Sequence, residues 1–143
     1  MVIAIACDHG GFALKEIIKK ELLSQGLEVL DLGAFSEEPV DYPVYGKSAA
    51  EAVVSGKADR GIVLCGSGIG VSIAANKVKG IRCALCTNSR MAELARRHND
   101  ANMLALGGRM TEPELAAEIV KVFFETGFEG GRHKRRTDML DEM

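Results

Sequence analysis

The segment of residues 65–70 combines a thiol, a hydroxyl and three glycines. Its members are Cys65, Gly66, Ser67, Gly68, Ile69 and Gly70. Glycines let the backbone curl so that successive N–H groups point at one ligand, and a helix that follows adds positive potential. The segment is therefore suited to hold a phosphate or a developing oxyanion. The alternative is a tight strand-to-helix turn that binds nothing.

Cys65 lies at the entrance to this glycine-rich segment, directly after an apolar run. The helix end and the backbone amides would favour the thiolate, which can accept a proton or attack an electrophile. A cysteine that ends an apolar run is also often buried and without chemistry. From its own position alone, Cys65 fits both interpretations.

A carboxylate and an imidazole follow the first apolar run of the chain. Asp8 and His9 precede Gly10 and Gly11, and together they could bind sugar hydroxyls or a phosphate. We favour a ligand role for His9. Asp8 could instead cap the helix that starts near Gly11, or do both.

Two further polar clusters lie later in the chain. His98 and Asn99 end a helical segment, where a histidine is electrostatically favourable whether or not it is functional. Arg132 and Arg136 belong to a basic segment after Gly130-Gly131. That segment could be a solvated surface run, but its arginines are better suited to a small phosphate ligand than to nucleic acid.

Short apolar runs alternate with helical periods along the whole chain. The predicted strands are 2–7, 28–32, 61–65, 81–86 and 103–106, and the clearest helix start is a capping box from Thr111 to Glu114. This alternation predicts one α/β domain over residues 1–143, a three-layer sandwich with a five-stranded, parallel, Rossmann-like sheet. Ligands of such sheets bind beyond the carboxyl ends of the strands. The segments after Cys7 and Leu64 are therefore the ones to inspect.

Sheet topology separates the candidate residues into two groups. Cys65 and His9 follow strands, whereas His98 follows a helix, so they belong to opposite edges of a parallel sheet. If His98 acts together with Cys65, it must come from a second subunit. We therefore predict a homodimer with shared sites. Residues 127–143 are expected to be an arm that packs on the partner.

Composition excludes several classes of protein. The 143 residues include 18 basic and 20 acidic ones, so no strong field favours nucleic acid or a membrane surface. No apolar run approaches the ~20 residues of a membrane span, and a soluble cytoplasmic protein is expected. Cys83 and Cys86 lie inside an apolar run and are predicted to be structural. A dinucleotide fingerprint fails because Val71 stands where glycine is needed.

Five motifs together resemble the ribose-5-phosphate isomerase type B family, which also includes galactose-6-phosphate and allose-6-phosphate isomerases. They are C-D-H-x-G after the first strand, D-Y-P at 41–43, C-G-S-G-x-G-x-S-I-A-A-N-K from Cys65, R-H-N-D from Arg97 and G-G-R-H-x-x-R from Gly130. The resemblance extends from Ile5 to Arg136. It implies an intramolecular oxidoreductase, an aldose–ketose isomerase that is homodimeric and needs neither a metal nor a cofactor.

The resemblance also implies a role for each matching residue. Cys65 would be the base that removes a proton beside the carbonyl, Ser67 would assist proton transfer, and His98 would open the furanose ring. The residues implied to bind substrate are Asp8, His9, Tyr42, Gly66, Gly68, Ile69, Gly70, Asn99, Arg109, Arg132 and Arg136. Among these, His9, Arg132 and Arg136 would hold the phosphate.

Two departures and three alternatives accompany this resemblance. Many relatives have Thr at the position of Ser67, and one branch uses a glutamate base at the position of Val71, which cannot serve. Cys65 is thus left as the only base. A six-carbon sugar-phosphate isomerase and a non-catalytic sugar-phosphate binding module stay open, and a nucleotide-binding regulator is disfavoured.

Overall fold

The computed structural model describes all 143 residues, which form five strands and six helices. The strands are β1 (Val2–Cys7), β2 (Glu28–Asp31), β3 (Arg60–Cys65), β4 (Cys83–Leu85) and β5 (Met103–Gly107). The helices are α1 (Phe12–Ser24), α2 (Tyr42–Val54), α3 (Ile69–Asn76), α4 (Ser89–Asn99), α5 (Pro113–Glu125) and α6 (Arg132–Asp141). No helix is both long enough and apolar enough to cross a membrane.

All strand pairs are parallel, in the order β2-β1-β3-β5-β4. The chain leaves β1 for β2 on one side and returns to place β3 on the other. Loops after β1 and β3 therefore diverge, and this creates the crevice at which open α/β sheets bind ligands. The predicted α/β fold is confirmed.

Alternating side chains of the strands supply two separate cores. On one face, Ile3 and Ile5 of β1 pack with apolar residues of α1, α4 and α5 around Phe123. On the other face, Ala4 and Ala6 of β1 pack with the small residues of α2 and α3. Both faces of the sheet are thus covered, as the continuous apolar strands predicted. The small residues let α2 and α3 lie close to the strand ends that carry the site.

Several element boundaries differ from the sequence-based prediction. β4 covers only Cys83–Leu85, and the amide of Arg82 just before it is bound by the Asn102 side chain at 2.8 Å. The predicted capping box is wrong. α5 starts after Glu112, and no side chain caps it.

The basic C-terminal segment forms a helix, and its lysine and arginine side chains are exposed. α6 packs on α4 of its own chain, with His133 and Thr137 buried against it. Arg82 anchors the far end through an ion pair with Asp141. This packing places Arg132 and Arg136 next to the C-terminal end of α4.

Candidate active site

The glycine-rich segment after β3 forms a tight turn into α3. Gly68 has a positive φ of 80°, which a side chain would strain, and its amide donates to the Sγ of Cys65 at 3.1 Å. The amide of Ile69 donates to the Ser67 hydroxyl at 3.2 Å. Cys65 is 5% exposed, so its sulfur lies sheltered beside the Gly68 amide at the start of the glycine-rich segment.

The loops that follow β1, β3 and β5 meet through their backbones. A Cβ added to Gly10 would lie 2.9 Å from the Gly66 amide nitrogen, and one added to Gly108 would lie 2.4 Å from the Gly10 carbonyl oxygen. The amide of Gly108 donates to the Cys65 carbonyl at 2.8 Å. Glycine at these positions therefore permits the close approach that assembles the site.

Asp8 and His9 lie on the β1 side of this crevice. One Asp8 carboxylate oxygen accepts from the amides of Gly10 and Gly11 at 2.8 and 3.2 Å. Asp8 therefore closes its own turn and does not cap α1, whose N-cap is Gly11 without a side-chain hydrogen bond. The Val40 amide donates to His9 Nδ1 at 3.2 Å. A neutral His9 therefore carries its proton on Nε2, which is the nitrogen left to donate to a ligand.

Tyr42 and Arg109 border the same crevice. A Cβ on Gly70 would lie 2.6 Å from the Tyr42 ring, so the ring lies directly on the first turn of α3. The Arg109 guanidinium would come within 3.4 Å of a Cβ on Gly66. The structure thus brings together the predicted residues that follow β1, β3 and β5, with Tyr42 at the start of α2.

The remaining predicted residues form a second group around the end of α4. The imidazole of His98 stacks on that of His133, with ring centroids 4.2 Å apart and planes 9° apart. Asn99 is exposed, and its carbonyl accepts from Arg82 Nε at 3.0 Å. Arg132 and Arg136 are exposed on α6, four residues apart and hence on one face of that helix.

The two groups lie at opposite ends of the strands, the first at the carboxyl ends and the second at the amino ends. Cys65 pairs with Gly107 at the carboxyl end of β5, whereas His98 precedes Met103, the first residue of β5. The length of β5 alone, about 13 Å, separates these two ends. The single chain therefore does not bring His98 to Cys65.

Cavities of the single chain do not unite the two groups either. A cavity of about 500 Å³ beside β4 includes Asn99 but no other predicted site residue. A cavity of about 190 Å³ includes only Arg109 of that set. Neither of these cavities contains residues of both groups.

Comparison with known proteins shows relatives that match nearly the entire chain. A model of the ribose/galactose isomerase family matches residues 3–140. The chain belongs to this family. Ribose-5-phosphate isomerase B of Escherichia coli K12 is 47% identical over 138 residues, which cover 96% of this chain and 93% of that protein.

Two other members of the ribose/galactose isomerase family extend the comparison. The structure of ribose-5-phosphate isomerase B from Clostridium thermocellum has a TM-score of 0.98 and 54% identity, covering 99% of this chain and 96% of that one. Galactose-6-phosphate isomerase subunit LacB of Clostridium acetobutylicum is 45% identical, covering 90% of this chain and 74% of that protein. The family resemblance inferred from the motifs is confirmed.

Three of the four cysteines of this family member are poorly suited to act as thiolates. Burial raises the pKa of Cys7 to about 11 and that of Cys83 to about 12, the nearby Cys86 adding to the latter. Burial also raises the pKa of Cys86 to about 11. All four cysteines are free, and no disulfide competes for Cys65.

Sequence reasoning missed some residues that shape the site. Gly10 and Gly108 bring the loops together, and Glu129 and His133 surround His98. The glycine pairs 10–11 and 107–108, each near the end of a strand, were the available signal for the first two. Glu129 carries no local signal, because its proximity to His98 depends on how α6 packs.

Proposed function

We propose that this chain interconverts ribose 5-phosphate and ribulose 5-phosphate as an aldose–ketose isomerase. The observation that carries the proposal is the Cys65 thiol at the mouth of the glycine-rich segment, with the Gly68 amide 3.1 Å from its sulfur. A base beside a set of oxyanion donors is what an enediolate mechanism requires. The name and 47% identity of the Escherichia coli relative support the same activity.

Cys65 is the proton-transfer residue in this proposal. As a thiolate it removes the proton from the carbon beside the aldehyde of the open-chain sugar, and it returns that proton to the former aldehyde carbon. The negative charge that develops on oxygen is stabilised by backbone amides of residues 66–70. Ser67 moves the hydroxyl proton between the two neighbouring oxygens, so no electron acceptor is needed.

The remaining residues open and hold the sugar phosphate. His98 transfers the proton that opens the furanose ring. Asp8 contacts the sugar end of the substrate. His9, Arg132 and Arg136 bind the phosphate, for which bidentate guanidinium groups are well suited. Tyr42, Asn99 and Arg109 make further contacts with the substrate.

A homodimer, alone or as half of a tetramer, completes each active site in this proposal. Two observations support it. The predicted site residues form two groups at opposite ends of the strands. In addition, Ile69 and Ile73, beside the Cys65 segment, are 54% and 57% exposed on one face of α3. A second copy would cover these side chains and bring its His98 to the first copy's Cys65. Residues 127–143 would then be an arm shared with the partner. A cytoplasmic location suits the four free thiols.

Complementation between two inactive variants tests the shared site. Cys65→Ala and His98→Gln, each inactive alone, would form mixed dimers in which one site has both native residues. Unfolding and refolding an equal mixture should restore about a quarter of the native activity, since half the dimers are mixed and each has one intact site. Activity that stays at the level of the separate variants would contradict sharing.

Substrate comparison tests the chain length of the sugar. The purified protein should isomerise ribose 5-phosphate with higher kcat/KM than allose 6-phosphate or galactose 6-phosphate. The similarity to the LacB subunit makes a six-carbon isomerase the second candidate, and a preference for either hexose phosphate would establish it. Binding of all three sugars without turnover of any would favour a non-catalytic module.

A further inference from the structure

His98, Glu129 and His133 form a compact cluster of metal-ligating side chains. The His98 Nε2 lies 3.8 Å from one Glu129 carboxylate oxygen, and the His133 Nε2 lies 3.6 Å from the other. One ligand atom from each of the three residues lies within 4.8 Å of the other two. The three residues come from α4, a loop and α6, so tertiary packing alone assembles them.

The His133 side chain is buried without a partner for its Nε2. It is 8% exposed, and its Nε2 makes no hydrogen bond. An unpaired buried polar atom is destabilising. This nitrogen faces Glu129. The cluster therefore contains a potential metal-coordinating atom that makes no hydrogen bond.

Both histidines present the same ring atom to one carboxylate. Their imidazoles are stacked, and the Nε2 of each lies within 3.8 Å of a Glu129 carboxylate oxygen.

We propose that His98, Glu129 and His133 bind a divalent cation of the zinc class. Two imidazoles and a carboxylate are a ligand set for Zn²⁺ and similar borderline cations, whereas Mg²⁺ and Ca²⁺ prefer oxygen alone. Bonds of about 2.0–2.1 Å in a tetrahedral site place ligand atoms about 3.4 Å apart. The ligand atoms lie within 4.8 Å of one another. On binding they would move closer, and the stacked rings would tilt so that both lone pairs converge on one ion. A fourth position stays open to water.

Metal binding at this site would inhibit the isomerase. A coordinated His98 has no free Nε2 for proton transfer. Zn²⁺ and a sugar phosphate would therefore compete for the His98 side chain. This consequence rests on the proposed role of His98 in ring opening. The metal site itself does not depend on that role.

Titration of the 143-residue chain with Co²⁺, a visible probe of zinc sites, tests the proposal. We expect one Co²⁺ per chain, the intense visible absorption of a four-coordinate ion, and displacement by Zn²⁺. His133→Gln and Glu129→Gln should each weaken binding at least about tenfold, the loss that removal of even an outer-shell group produces. The matched control is Glu125→Gln, an exposed carboxylate on α5, which should bind like the native protein.

Three outcomes of the Co²⁺ titration would overturn the site. They are absence of stoichiometric binding, binding unchanged in both ligand variants, and a thiolate-to-cobalt charge-transfer band, which would assign the metal to a cysteine. Circular dichroism of each variant separates loss of a ligand from loss of the fold. Zn²⁺ binding at this site without inhibition would keep the site and contradict the role of His98.

Discussion

The backbone amide of Gly68 donates a 3.1 Å hydrogen bond to the sulfur of Cys65. Only a residue that tolerates a positive φ can turn the chain so soon after β3 and point its N–H back at the strand end. The bond orients the thiol toward the glycine-rich segment. This relationship makes Cys65 the residue on which the proposed chemistry depends.

Replacing the thiol should remove catalysis and leave binding. In Cys65→Ala, kcat should fall by at least about 10²–10⁴-fold, the usual contribution of a general base. The dissociation constant for ribose 5-phosphate should change little, because the amides and arginines remain. A coupled assay for ribulose 5-phosphate and calorimetric titration measure the two quantities. Cys83→Ala is the matched control, and near-native turnover in Cys65→Ala would contradict the mechanism.

Alkylation should distinguish Cys65 from the other thiols. Because burial raises the pKa of Cys7, Cys83 and Cys86 to about 11, 12 and 11, their thiolate fractions at pH 8 are about 10⁻³ or less. Iodoacetamide at that pH should label Cys65 first, and ribose 5-phosphate should slow the labelling. Peptide mass mapping gives the order of modification. Dominant labelling of any other cysteine in the folded protein would refute this assignment.

A methyl group at Gly108 should disturb the meeting of the loops. Gly108→Ala places a Cβ 2.4 Å from the Gly10 carbonyl oxygen, and overpacking of this kind costs about 1–3 kcal/mol. Gly127→Ala is the matched control, since its Cβ would meet no atom within 4 Å. Urea denaturation should show a lower free energy of unfolding only for Gly108→Ala. Equal stability of the two variants would show that the loops move apart freely.

The buried ion pair between Lys15 and Asp31 should make stability depend on pH. The Lys15 side chain is fully buried and its Nζ lies 2.8 Å from the Asp31 carboxylate. Burial raises the pKa of Asp31, but hydrogen bonds from Lys15, the Gly33 amide and Lys19 outweigh it and hold the pKa below 3.8. The ionised carboxylate thus stabilises the fold above that pH, and this stability is lost as the pH falls through the lowered value.

Asp31→Asn tests the contribution of this ion pair. It should lower the free energy of unfolding by up to about 3–5 kcal/mol at pH 7. The buried Lys15 is then left with only the more exposed Glu16 carboxylate, 3.6 Å away, as a counter-charge. The difference from the native protein should shrink as the pH falls from 3.8 through the lowered pKa of Asp31. In that range the unfolded chain binds a proton that the native carboxylate does not, so the native protein loses stability. Urea midpoints at pH 7 and pH 3 measure both effects. Glu28→Gln, an exposed carboxylate on the same strand, serves as control, and a difference independent of pH would contradict this account.

The order of the elements and the location of the crevice could be predicted from the sequence. Strands buried on both faces appear as short continuous apolar runs, and parallel strands bring their following loops to one edge. That logic placed Asp8, His9 and Cys65 together and His98 at the opposite edge. The motifs identified the family, because the residues that carry them are adjacent in the chain.

Tertiary packing alone decided the features that depend on residues far apart in sequence. The close approach of Gly10, Gly66 and Gly108, the helical conformation of the basic C-terminal segment and the grouping of Glu129 with His133 around His98 are of this kind. Local patterns do not encode them, since each requires several elements to be packed before the contact exists. Propensity and spacing describe neighbours along the chain, whereas these distances are set by how the layers fit together.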